Sequence, residues 1–108
     1  MAEGYLQVTT TIDSEDAARA LARSIVDARV AACAQVLSPI NSTYWWQGKV
    51  EVADEWMIVI KTAADRLDAL VEHIKSHHSY DVPEIVAMPI EGGNPDYLSW
   101  ISEETRPR

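Results

Sequence analysis

Three histidines are the residues of this sequence best suited to binding a metal ion. His73 and His77 stand four residues apart in a segment with helical periodicity, and His78 follows directly. At that spacing two imidazoles project from one side of a helix and can share an ion such as Cu(II) or Zn²⁺. The alternative is a set of solvated or hydrogen-bonded histidines near the negative end of a helix dipole. Because no third ligand has a fixed spacing, the residue pattern alone favours that alternative.

Cys33 is the only cysteine in the chain, so an intrachain disulfide is excluded. It lies among alanines in a short strand candidate, which favours a buried, unreactive thiol over a metal ligand or redox group. A single cysteine fits a reducing compartment, and no apolar run reaches the ~20 residues of a membrane span. The N-terminus also lacks a basic region followed by an apolar stretch. We therefore predict a cytoplasmic protein.

The chain carries none of the common catalytic motifs. There is no Gly-x-Ser-x-Gly, no Cys-x-x-Cys, no glycine-rich phosphate loop and no pair of carboxylates at a recognisable spacing. Nine basic and seventeen acidic residues give a net charge of −8, which argues against nucleic acid and anionic membranes as partners. An acidic surface is compatible with cations or with simple solubility. We predict that the protein is not an enzyme.

The elements that must position these residues can be read from hydrophobic periodicity and from turn and capping residues. With 108 residues, the chain is expected to form one domain, 1–108. Thr62 is a candidate cap for the second helix, and a hairpin turns at Gln47-Gly48. The predicted strands are 5–12, 32–37, the hairpin strands 43–46 and 49–52, 55–61 and 84–90. The first predicted helix begins at Asp13 or Ser14 and runs to about Arg29. The second follows Thr62, and the third runs from Asn94 through Trp100.

The order of these elements is typical of a ferredoxin-like split βαβ fold (βαββαβ plus a short C-terminal helix). This is an α+β architecture in which an antiparallel sheet has its helices on one face. The strand 55–61 is apolar on both faces, so we expect it at the centre of the sheet.

Tryptophans on or beside the hairpin favour self-association. Trp45, Trp46 and Trp56 fall on strands that are expected to extend beyond the helix layer, where a domain of this size cannot easily cover them. Exposed strand edges that carry large aromatic side chains tend to pair with another chain. A homo-oligomer is therefore expected; the alternative is that these tryptophans pack within the monomer.

Several segments, in order from near residue 30 to residue 100, resemble the CutA-type divalent-cation tolerance proteins. The aromatic-Gly-Lys hairpin and the Tyr-x-x-Pro-Glu segment are the most specific. The segments are Ala31-Ala32-Cys33-Ala34, Ser42-Thr43-Tyr44-Trp45-Trp46-Gln47-Gly48-Lys49, Ile60-Lys61-Thr62, His77-His78-Ser79-Tyr80-Asp81-Val82-Pro83-Glu84-Ile85 and Gly93-Asn94-Pro95-Asp96-Tyr97-Leu98-Ser99-Trp100.

The resemblance implies a cytosolic homotrimer of ferredoxin-like subunits, linked to tolerance of copper and other divalent ions, with no established catalytic reaction. Copper ligation in the family is credited to the adjacent histidine pair before Tyr-x-x-Pro-Glu, which falls here on His77 and His78. In some members a cysteine on the first strand joins them. The matching position here is Thr9, whose hydroxyl is a poor copper ligand, so we expect a loosely bound Cu(II) or other divalent ion.

Two further hypotheses stand beside the metal-binding trimer. One is a signalling trimer, similar in fold to PII-type regulators, which binds a small metabolite in clefts between subunits. The other is an enzyme, which would need a group with a shifted pKa in a cleft.

Overall fold

The computed structural model describes residues 4–107, and places five strands and three α-helices there. A 3₁₀ turn, Ala64–Arg66, directly precedes the second α-helix. The strands are β1 (Tyr5–Ile12), β2 (Cys33–Val36), β3 (Ile40–Trp46), β4 (Lys49–Ala63) and β5 (Val86–Ile90). The helices are α1 (Glu15–Asp27), α2 (Leu67–His77) and α3 (Pro95–Glu104). No helix of the described part is long and apolar enough to cross a membrane.

The strands form one antiparallel sheet in the order β2-β4-β1-β5, and β3 pairs with the outer half of β4. Along the central pair, Tyr5 lies opposite Ala63 and Ile12 lies opposite Trp56. The antiparallel sheet with helices, the central position of strand 55–61 and the bounds 5–12 of the first strand are confirmed.

The core lies between one face of this sheet and the two longer helices. Val8 and Ile60 on the sheet, Ile25 on α1 and Ile74 on α2 are all fully buried in one cluster. Ser14 caps α1 by accepting a hydrogen bond from the backbone N–H of Ala17, as its position before the acidic first turn predicts. The apolar stripes of α1 and α2 therefore fix both helices on the same side of the sheet.

The third helix contacts the opposite face of the sheet, so the prediction that the helices share one face is confirmed for α1 and α2 and is wrong for α3. The Tyr97 hydroxyl lies 3.8 Å from the sulfur of Cys33, and Ser102 Oγ donates a hydrogen bond to the Tyr5 hydroxyl. Cys33 lies opposite Lys61, which lies opposite Gln7, so these residues share a face with Tyr5. We call this face, opposite α1 and α2, the open face.

Two local predictions were wrong. The hairpin strand and strand 55–61 are one continuous strand, Lys49–Ala63, so the β3–β4 hairpin is a direct outward extension of the sheet. Thr62 is a buried residue of this strand, and its hydroxyl donates to the Val30 carbonyl instead of capping a helix. A buried hydroxyl needs a hydrogen-bond partner, and Val30 supplies it from far away in the sequence.

The hairpin turn occurs at Gln47-Gly48, as predicted. Both residues have positive φ, 51° for Gln47 and 79° for Gly48, as a two-residue I′ loop requires. The tryptophans near the turn divide into two groups. Trp56 is half-buried against the core cluster, whereas Trp45 and Trp46 are exposed.

Candidate functional site

His77 is the last residue of α2, and its imidazole is exposed. Its Nδ1 lies 2.8 Å from the carbonyl oxygen of His73 and 3.0 Å from Ser76 Oγ. Because a carbonyl oxygen can only accept, Nδ1 carries the proton and Nε2 of the neutral ring keeps its lone pair. His77 therefore has one nitrogen suited to metal ligation.

His73 stacks on His77 instead of converging with it. The ring centroids are 4.0 Å apart and the planes differ by 13°. His73 Nε2 lies 2.9 Å from Ser24 Oγ, and Ser24 in turn donates to the Leu21 carbonyl, so the imidazole is the donor. Burial, and then the charge of His77, lowers the pKa of His73. The lone pair of an imidazole nitrogen lies in the plane of its ring, and the lone pairs of two stacked rings do not point at one ion. His73 and His77 therefore do not form the shared metal site that their four-residue spacing suggested.

Both ring nitrogens of His78 take part in internal hydrogen bonds. Nε2–H donates to the Thr11 carbonyl at 2.7 Å, and Nδ1 accepts from the Tyr80 backbone N–H at 3.0 Å. These partners fix a neutral ring with its proton on Nε2. His78 must release one of them before it can bind a metal. Metal ligation by His77 and His78 stays a prediction.

The two other residues considered as ligands lie on strands of the sheet and not on α2 with the histidines. Thr9 is half-buried in the middle of β1 on the open face, opposite Val59 and Val86. Cys33 was predicted to be buried, but it is only half-buried. Its sulfur lies beside the hydroxyl of Tyr97. Burial and the contact with the thiol raise the pKa of Tyr97. Within residues 4–107 no group of three or more His, Cys, Asp or Glu side chains is placed to hold a metal ion. The described residues of a single chain therefore do not form a closed structural metal site.

A cavity of about 760 Å³ lies beside the histidine region. Its walls are residues 42–46 of β3, residues 79–84 of the loop after α2, and the side chains of Thr11 and Glu55. We call it the hairpin cavity. It is within the size range of small-molecule sites in proteins.

Glu55 is the most deeply buried acidic residue of the hairpin cavity, with 6% of its surface exposed. The Tyr80 hydroxyl donates a hydrogen bond to its Oε2 at 2.8 Å. Burial, followed by the bond to Glu55 and its charge, raises the pKa of Tyr80, so the hydroxyl remains a donor.

Sequence reasoning did not select Glu55, although one signal for it exists: it is a carboxylate at the start of an apolar strand. Tyr80 appeared only within a family segment. The structure connects both residues to one of the predicted histidines, His78. Its Nδ1 accepts a hydrogen bond from the Tyr80 backbone N–H, and the Tyr80 hydroxyl donates one to Glu55.

Comparison with known proteins gives one consistent family. The model of the CutA1 divalent ion tolerance protein family matches residues 6–104. The chain is 46% identical over 99 residues to "Protein CutA 1, chloroplastic" of Oryza sativa subsp. japonica, covering 92% of this chain and 56% of that protein. It is 42% identical over 98 residues to "Divalent-cation tolerance protein CutA" of Thermus thermophilus, covering 91% and 95%. The chain thus spans about half the length of the plant relatives and nearly all of the bacterial one.

Solved structures show the same fold. CutA1 from Oryza sativa superposes with a TM-score of 0.92 at 44% identity, covering 97% of this chain and 96% of that one. The Thermus thermophilus protein gives a TM-score of 0.91 at 40% identity, covering 94% and 99%. A protein of Archaeoglobus fulgidus, described as a periplasmic divalent cation tolerance protein, gives 0.90 at 33% identity, covering 94% and 99%.

Proposed function

Because this chain belongs to the CutA1 divalent ion tolerance family, we propose that it binds copper or a similar divalent metal ion in the response to metal ions. The family match extends over residues 6–104 and so includes both histidines of the predicted site. Relatives are named for divalent-cation tolerance, and an acidic chain of net charge −8 attracts cations.

One observation carries the metal-binding proposal. His77 is exposed, and the His73 carbonyl holds its proton on Nδ1, so that Nε2 is left for an ion. Imidazole suits Cu(II), which stands highest in the Irving–Williams order. His78 joins as a second ligand only after it leaves Thr11 or Tyr80, which agrees with a loosely bound ion.

We further propose that the subunit is ferredoxin-like and forms a homotrimer. The antiparallel strand order β5-β1-β4-β2, with α1 and α2 on one face, supports the subunit topology. Exposed apolar side chains on the hairpin and on the open face, including Trp45, Val52 and Met88, support association with further copies.

We also propose that the protein is cytoplasmic and has no catalytic activity. The single cysteine suits a reducing compartment. Relatives carry the descriptions chloroplastic and periplasmic, which are said of those proteins only. The alternative function is a PII-like signalling trimer that binds a small metabolite in clefts between subunits; the hairpin cavity, which lies within one chain, offers a concave surface of suitable size.

Calorimetric titration with Cu(II), with glycine as a mild competitor, tests the metal site. The wild type is expected to show a saturable site that His77→Ala loses and that Lys75→Ala, an exposed change in the same helical turn, retains. The His78→Ala variant is titrated in the same way after its oligomeric mass has been shown to equal that of the wild type. Loss of saturable Cu(II) binding in this variant would identify His78 as the second ligand. Unchanged binding in His77→Ala would exclude this residue as a ligand.

A further inference from the structure

We propose that the hairpin cavity binds an organic ammonium ion between the carboxylate of Glu55 and the aromatic rings of Tyr44 and Trp46. Residues 73, 77 and 78 do not line the cavity, although His78 accepts a hydrogen bond from the backbone N–H of the lining residue Tyr80. The proposal therefore does not rest on metal binding.

The charge of the cavity favours a cation. Glu55, Asp81 and Glu84 line it, and no Lys, Arg or His does. None of the ion pairs found within residues 4–107 includes Glu55, and its hydrogen-bond partner there is the neutral Tyr80 hydroxyl. A buried carboxylate without a cationic partner is costly, so a cation bound beside it would be stabilised.

The register of the hairpin places aromatic rings on the same side as this carboxylate. Glu55 lies opposite Ile40, and side chains of paired residues share a face. Tyr44 and Trp46 are an even number of residues from Ile40 on the same strand, so their side chains lie on the same face, and both line the cavity. An ammonium group above an aromatic face is attracted by the negative charge of the π system, and such rings combined with a carboxylate suit alkylated ammonium groups.

The dimensions of the cavity favour an organic ion over a metal ion. A metal needs several ligands at about 2.0–2.6 Å, and within residues 4–107 no group of three or more His, Cys, Asp or Glu is so placed. About 760 Å³ with aromatic walls suits a ligand of several heavy atoms.

The carboxylate is held in position before any ligand arrives. Tyr80 Oη fixes Glu55 Oε2 at 2.8 Å, and His78 Nδ1 accepts from the Tyr80 backbone at 3.0 Å. His78 is itself joined to the end of β1 through the Thr11 carbonyl. Such preorganisation lowers the cost of ordering the site on binding.

Titration of the full chain with tetramethylammonium chloride tests the proposal, at ionic strength held constant with sodium chloride. Calorimetry and tryptophan fluorescence should both report saturable binding. The neutral molecule tert-butanol, of similar size, should not saturate the site. Glu55→Gln removes the charge but keeps an acceptor for Tyr80, and should weaken binding by roughly tenfold or more. Glu72→Gln removes an exposed charge from α2, outside the cavity lining, and should leave the affinity within about twofold.

A second variant and a cross-check make the result decisive. Trp46→Leu, checked for folding by circular dichroism, should weaken binding without changing the charge of the site. His77→Ala should leave tetramethylammonium affinity unchanged, so this site and the copper site can fail independently. Equal binding of tert-butanol, equal affinity in Glu55→Gln, or no saturable binding by the wild type would overturn the proposal.

Discussion

At the scale of single residues, neighbouring histidines have different roles in the fold. His77 ends a helix with one nitrogen facing solvent, whereas both nitrogens of His78 bind backbone groups of β1 and of the following loop. The difference arises because the chain leaves the helix at His78, whose φ and ψ of −100° and 144° are extended. Adjacent positions in the sequence therefore direct their rings to different partners.

His78→Ala is expected to lower the free energy of unfolding by about 1–3 kcal/mol, because it leaves the partly buried Thr11 carbonyl and Tyr80 N–H without their partner. Urea unfolding at fixed protein concentration measures the change, and amide exchange at Tyr80 should become faster. The exposed His77→Ala serves as control and should stay within about 0.5 kcal/mol of the wild type. Equal stability of the two variants would show that the His78 bonds do not stabilise the fold.

At the scale of elements, the hairpin depends on two residues with left-handed backbone conformation. Gly48 has φ of 79°, and a Cβ built there would meet no atom within 4 Å. A substitution at this position therefore acts through backbone conformation and not through a clash. Gln47, at φ of 51°, already bears the cost of a side chain in that region.

Gly48→Ala should thus lower the free energy of unfolding by about 1–2 kcal/mol, the cost of placing an L-residue in the left-handed region. Gln47→Gly should have the smaller or opposite effect, because glycine adopts this φ without strain. Thermal unfolding of both variants and the wild type, at one protein concentration, makes the comparison. Equal effects of the two changes would mean that the turn conformation does not limit hairpin stability.

At the scale of the whole molecule, the hairpin has two faces with different surroundings. Tyr44, Trp46 and Glu55 share the face of the hairpin that lines the hairpin cavity, whereas Val52 lies on the other face, outside the lining, and is 63% exposed. The hairpin also makes the chain elongated, with extents of 43 × 26 × 26 Å. An apolar face on a projecting element is suited to contact another copy of the chain.

The proposed trimer predicts a mass near three times the 12.0 kDa of the chain by light scattering coupled to size exclusion. Val52→Lys places a charge on the apolar hairpin face and should shift the mass toward that of the monomer, because burying an unpaired charge opposes association. Glu72→Lys, on the exposed surface of α2, should leave the mass unchanged. A wild-type monomer, or a trimer unaffected by Val52→Lys, would contradict this role of the hairpin face.

The sequence by itself determined the features that depend on near neighbours. The strand 5–12, the starts of helices at Ser14 and Asn94 and the Gln47-Gly48 turn all appear as predicted, because their hydrogen bonds and backbone angles are set within a few residues. The family segments also identified the family, which the family match confirms.

Only the tertiary structure decided the contacts that join distant parts of the chain. His78 meets Thr11 across 67 positions, and Tyr80 meets Glu55 across 25. Thr62 was wrongly expected to cap a helix because its actual partner, the Val30 carbonyl, lies 32 positions away. A polar side chain bonds to whichever group folding brings within reach, and periodicity along the chain carries no information about that group.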